Sequence, residues 1–118
     1  MSSGHLPVDW RGLLAVVSMP EEIDMANNSE VADDLMATLD QGTAVLVVDM
    51  SQTTFCDSGG VRAVVLAHRK AAASGVELRL VIASSAVRQV FSIIGAERLA
   101  ELHTDLASAL TPAPGRPA

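Results

Sequence analysis

The chain has 118 residues, of which 49% are hydrophobic, 19% charged and only 3% aromatic, and its formal net charge is −6. That is enough sequence for one compact domain with a core of Ala, Val, Leu and Ile. The acidic balance argues against a nucleic-acid partner, and the scarcity of aromatics removes the stacking platform of a single-strand binder. A single cysteine, Cys56, excludes an internal disulfide and agrees with a reducing compartment. No stretch has the pattern of a secretory signal or the length of a membrane span, so a cytoplasmic protein without membrane insertion is expected.

The charge is unevenly placed. Up to Gly60 there are ten acids and one base, Arg11, whereas the remainder carries seven bases and four acids. This has two readings: ordinary solvation of helix faces, or an acidic patch that steers a basic partner.

In chain order, Met1–His5 reads as a frayed end. Leu6–Val8 and Leu13–Val17 read as two strands, with Asp9–Gly12 as the hairpin loop between them. Trp10 either caps one end of the core or sits on that loop, with partial burial favoured. Pro20 closes the second strand. A helix is expected over Asn28–Asp40, with Asn27 as N-cap and Glu30 at capping-box spacing. Val31, Leu35 and Leu39 make its apolar stripe, and Glu30, Asp33, Asp34 and Asp40 take the other side.

Thr43–Met50 is nearly continuous apolar sequence, the mark of a central strand covered on both faces. After a loop at Ser51–Thr54, a second helix spans Gly60–Ala73, with Val61, Val64, Val65 and Ala72 inward and Arg62, Arg69 and Lys70 outward. His68 falls at the edge of its buried face. Val76–Ala83 reads as a strand, with Glu77 and Arg79 opposite its apolar positions. Ser84–Ser85 caps a third helix carrying Val87, Val90, Phe91 and Ile94, closed by Gly95. Ala96–His103 is ambiguous, with a short edge strand as one reading, Thr104 is a candidate cap for a last turn or two through Leu110, and Thr111–Ala118, with three prolines, reads as a disordered tail. Alternation of strands and helices implies largely parallel pairing in one domain over residues 6–110.

The chemistry-bearing stretch is Phe55-Cys56-Asp57-Ser58-Gly59-Gly60-Val61, where a strand gives way to a helix. In open sheets of this kind, sites gather beyond the carboxyl ends of the strands. Ser58 as a nucleophile would need a base, and His5, His68 and His103 have no spacing that ties them to it. The Lys-Ser/Thr of a phosphate-binding loop is missing after Gly59-Gly60. His5, His68, His103 and Cys56 share no metal-ligand spacing. No catalytic residue, metal or cofactor is therefore expected. Two readings of Ser58 remain: a helix cap, alone or with Asp57, or a phosphoryl acceptor. A phosphate at a helix N-terminus sits at the positive end of the dipole, an effect of roughly 0.3–2 kcal/mol, and Arg62 lies one turn on to pair with it. The fold would bear that phosphate, while an acidic group of a partner would not.

The same residues carry a resemblance. Val47-Val48-Asp49-Met50-Ser51 and Phe55-Cys56-Asp57-Ser58-Gly59-Gly60-Val61 resemble the apolar strand, "D-L-S" and "F-x-D-S-S/T-G-L" of the STAS domains, and within them of the stand-alone bacterial anti-sigma factor antagonists. Glu22-Ile23-Asp24-Met25-Ala26 is similar to the family's "G-E-I-D-L-A", and Phe91 to Gly95 with His103 to its C-terminal "L-x-x-x-G" and following strand. The resemblance covers roughly Val8–Leu110. It implies an α/β fold with a mixed, mostly parallel sheet of four to five strands and about four helices, and no catalytic activity.

It also implies a function. Such an antagonist binds an anti-sigma factor that is often a serine kinase, and so releases a sigma factor. The kinase phosphorylates the serine after the motif aspartate, here Ser58, which ends binding, and a metal-dependent serine phosphatase restores it. The implied contact face joins Asp24 and Asn27 before the first helix to Asp57, Ser58, Gly59, Gly60 and Arg62. Gly59 departs from the family's second Ser or Thr, Arg62 from a usual small residue, and Pro20-Glu21 from a glycine. A monomer or weak dimer is expected. A second reading is a STAS adaptor that is not phosphorylated, serving a stress-signalling or lipid-transport assembly.

Overall fold

The structure is a computed structural model and describes residues 6–93, 95 and 100–111. Five strands form the main sheet: β1 (Val8–Arg11), β2 (Leu14–Ser18), β4 (Val45–Met50), β6 (Glu77–Ile82) and β7 (Glu101–His103), in the order β1-β2-β4-β6-β7. Only β1 and β2 are antiparallel; every other neighbouring pair is parallel. A separate two-stranded ladder joins β3 (Glu22–Ile23) to β5 (Phe55–Cys56) in parallel. The helices are α1 (Asn28–Leu39), α2 (Ser58–Ala73), α3 (Ser85–Ile93) and α4 (Leu106–Ala109).

Every residue of β4 is buried. Its alternation feeds two cores, because successive side chains of a strand point to opposite faces. Leu46, Val48 and Met50 join α1, α2 and α3 in the larger core, through Leu35, Val64 and Phe91 among others. Val45 and Val47 join Val16, Val81 and Ala109 of α4 on the other face. The three long helices thus share one face, and the short α4 covers part of the other. On α2 the buried positions include Ala63, Ala67 and Ala71, a stripe of small side chains beside α1. Ala72, expected inward, is exposed, because the buried stripe runs through Ala71 one position earlier. No described helix is long and apolar enough to cross a membrane.

The first strand ends three residues later than its composition suggests, and the second begins one residue later. Leu6 and Pro7 precede the strand, and Asp9, Trp10 and Arg11 pair with β2 instead of forming the loop. The turn is Gly12-Leu13, with Gly12 at φ +63, the positive value that a two-residue hairpin turn demands of its first central residue. An edge strand tolerates such polar residues, and Trp10 stays 40% exposed on it.

Arg79 lies opposite the apolar face of β6, as read from sequence, and it is 1% exposed because α4 covers its own face. Its Nε donates to Glu77 Oε2 at 2.8 Å, and its Nη1 to the carbonyls of Ala109 and Thr111 at 2.9 and 2.6 Å. The guanidinium therefore ties α4 and the residues just after it to the sheet. The edge strand at Glu101–His103 is present, and Asp105, not Thr104, caps α4 by accepting from Ser108 N at 2.9 Å. Ser84 caps the third helix as expected, accepting from Val87 N at 3.2 Å. The frayed start, the tail beyond Thr111, Ile94 and residues 96–99 lie outside the described residues.

Candidate functional site

The parallel strands β2 and β4 end at Ser18 and Met50, and the loops beyond them build the site. Met19 N donates to Asp49 O at 2.9 Å, and Thr53 Oγ1 donates to Pro20 O at 2.8 Å, so the two loops leave the sheet as a pair. They then join through β3 and β5, where Glu22 faces Phe55 and Ile23 faces Cys56. Asp57 N donates to Ile23 O at 3.1 Å. This ladder holds the entrance of α1 beside the entrance of α2.

At the α2 entrance the cap is Asp57, whose Oδ1 accepts from Gly60 N at 3.0 Å. An aspartate there also places a negative charge at the positive end of the helix dipole. Ser58 becomes the first helical residue instead of the cap, and α2 starts two residues earlier than its apolar pattern indicates. Relieved of capping, the Ser58 side chain is exposed and its hydroxyl makes no hydrogen bond among the described residues. Arg62 is exposed one turn further on. The glycines serve packing: a Cβ on Gly60 would lie 2.6 Å from Cys56 Sγ and 2.7 Å from Ile23 Cγ2, and one on Gly59 would collide with the amide of Asn28.

At the α1 entrance Asn27 occupies the capping position but does not cap the helix. Its Oδ1 accepts from Asp24 N at 3.0 Å and its Nδ2 donates to Glu22 O at 2.8 Å, while Asp24 Oδ1 accepts from Ala26 N at 2.9 Å. The expected capping box with Glu30 is therefore absent among the described residues, because Asn27 shapes the loop before the helix. Asp24, Asn27, Asp57, Ser58, Gly59 and Gly60 are brought to one end of the sheet, with Arg62 one turn behind.

Two apolar residues join this face without a signal strong enough to single them out: Met25, 88% exposed, and Phe55, 50% exposed. The available clue was an apolar residue within a polar loop. Behind the face, Ser58 and Arg62 also line a groove of about 440 Å³ between α2 and α3. Cys56 is 4% exposed, and burial first, then the Asp57 carboxylate, push its thiol from the ordinary 9.0 up to about 11. It is a packing residue at neutral pH. Among the described residues no three His, Cys, Asp or Glu side chains come together as a metal-ligand set. The arrangement offers a reachable hydroxyl on a rigid platform, and among the described residues no base hydrogen-bonds to it.

The family model of the STAS domain matches residues 7–109. By sequence alone, no curated protein matches significantly. Among solved structures, a Thermotoga maritima protein proposed to be an anti-sigma factor antagonist is similar with a TM-score of 0.81, at 18% identity over 89% of this chain and 91% of its own. An anti-sigma factor antagonist of Mycobacterium paratuberculosis is similar with a TM-score of 0.76, at 23% identity over 89% of each chain. SpoIIAA, an anti-sigma factor antagonist, is similar with a TM-score of 0.69 in its unphosphorylated form, at 18% identity over 88% of this chain and 92% of its own. Its phosphorylated form from Bacillus gives 0.68. Matched over nearly its whole length, the chain belongs to the STAS domain family.

Proposed function

We propose that this chain is an anti-sigma factor antagonist that binds an anti-sigma factor with serine kinase activity, thereby freeing a sigma factor, and that phosphorylation of Ser58 ends the binding. The observation that carries the reading is the exposed Ser58 hydroxyl, not engaged in capping, at the first position of an Asp57-capped helix beside the Asp24–Asn27 loop. The names of the structural neighbours support it, and SpoIIAA is known in both phosphorylation forms.

The chemistry is a change of charge. A phosphate on Ser58 adds up to about two negative charges at the positive end of α2, within reach of Arg62, so the fold keeps its geometry. The surrounding face already holds Glu21, Glu22, Asp24 and Asp57. Its acidity suits a basic partner surface with few carboxylates of its own. Where such a partner places one acid about 4 Å from the phosphate, the repulsion is about 4 kcal/mol per charge pair at an effective dielectric near 20. Half of that weakens a complex well over tenfold. A metal-dependent serine phosphatase resets the switch.

The test is titration calorimetry against the cognate kinase, with intact mass after incubation with ATP. Ser58→Ala keeps binding within about threefold, and Ser58→Asp weakens it more than tenfold. One phosphate appears on the wild-type chain and none on Ser58→Ala. Equal binding by both variants would sink the switch.

A further inference from the structure

The groove between α2 and α3 has an apolar floor of Val61, Val65, Leu66, Val90 and Ile93. Ile93 is 78% exposed, so among the described residues the groove is open on the α3 side. Its other wall carries Arg62 and Arg69, both exposed on α2. Among the described residues neither arginine makes an ion pair. Arg11, Lys70 and Arg79 hold Asp9, Asp40 and Glu77, and Arg88, also without an ion pair among the described residues, donates to Ala83 O at 3.3 Å. Two cations without carboxylates on one wall of an apolar groove, in a chain of net charge −6, mark a surface built for something acidic.

We infer that this groove docks an acidic amphipathic helix of a partner protein. Seven residues separate Arg62 from Arg69, two helical turns or about 10.5 Å. A helix lying in the groove presents carboxylates at i and i+7 at that same interval, with apolar residues at i+3 and i+4 between them for the floor. A single-headed amphiphile answers one arginine and leaves the other, and an open groove buries too little of a small ligand. Ser58 lines the mouth of the groove one turn before Arg62. Resting on the reading of Ser58 as phosphoacceptor, a phosphate there competes with the helix for Arg62 and repels its first carboxylate.

The test is an amide NMR titration of the full chain with a designed 18-residue amphipathic peptide carrying Leu on one face and Glu at i and i+7, beside a twin with Lys at those two positions. Support is chemical-shift change along α2 and α3 at the groove, with the Glu peptide bound at least tenfold tighter. The double variant Arg62→Glu/Arg69→Glu inverts the preference, and Ser58→Glu weakens the Glu peptide at least threefold. Shifts elsewhere, equal binding of the two peptides, or no saturation at millimolar peptide overturns the groove as a helix site. Decanoate saturating the same residues more tightly than the peptide overturns the helix in favour of a small amphiphile, and concentration-dependent dimerisation through α2 and α3 does so in favour of a second copy. An unchanged Ser58→Glu titration overturns the competition. No kinase enters these titrations, so loss of the kinase complex with retained peptide binding refutes only the function proposed above, and the reverse refutes only the groove.

Discussion

Gly60 sets two physical effects of opposite sign against each other. It is the third residue of α2, and replacing a helical glycine by alanine ordinarily stabilises by up to about 1 kcal/mol. Here the added Cβ would stand 2.6 Å from Cys56 Sγ, 2.7 Å from Ile23 Cγ2 and 3.1 Å from Ile23 Cβ. Cys56 and Ile23 are buried at 4% and 0% exposure, and both are short side chains rooted on the β3–β5 ladder, so backbone must move. Overpacking of this kind costs about 1–3 kcal/mol, more than the propensity returns. The expected outcome for Gly60→Ala is a net loss of about 1–2 kcal/mol, or a midpoint lower by roughly 3–12 °C at this chain length, read by thermal and urea unfolding. Removing the Sγ obstacle in Gly60→Ala/Cys56→Ala recovers about 1 kcal/mol relative to the sum of the single changes. A Gly60→Ala protein as stable as the wild type would refute the close approach of α2 to β3 and β5.

Arg79→Met strips the carbonyls of Ala109 and Thr111 of their donor and leaves Glu77 without its cation, an expected loss of about 3 kcal/mol. Hydrogen exchange then shows residues 101–111 losing protection while β4 keeps its own; unchanged protection at 101–111 would contradict the tie. The Cys56 thiol, raised to about 11 in the folded chain, resists alkylation at pH 8 and reacts on unfolding. Because the unfolded thiol ionises near its ordinary 9.0 while the folded one keeps its proton, stability falls as pH rises from about 9 to about 11. Cys56→Ala flattens that part of the pH profile, and an unchanged slope would assign the loss to another group.

Periodicity placed β4, β6, α1 and most of α2 because long apolar patterns bury themselves, and the junction at Ser58 followed from where those patterns meet. What it could not place was set by contacts distant in sequence. The strands β3 and β5 have two residues each, too few to show any period. Asp57 and Ser58 are both good caps, and pattern alone does not choose between them. Asn27 looks like a cap but serves the loop around Asp24. The pattern puts Arg79 opposite the apolar positions of its strand but does not show that α4, thirty residues later, covers it. The groove with Arg62 and Arg69 needed α3 beside α2 before its two walls could be seen together.

The β3–β5 ladder has a consequence for how a partner meets this protein. Holding one residue's backbone in place costs about 1–2 kcal/mol in conformational entropy. Asp24 to Asn27 and Phe55 to Ser58 come from segments 31 residues apart, yet the ladder, the Asn27 amide and the Asp57 cap already fix them in a single arrangement. That cost is met when the domain folds. The face proposed to meet a partner is therefore already assembled before anything binds to it.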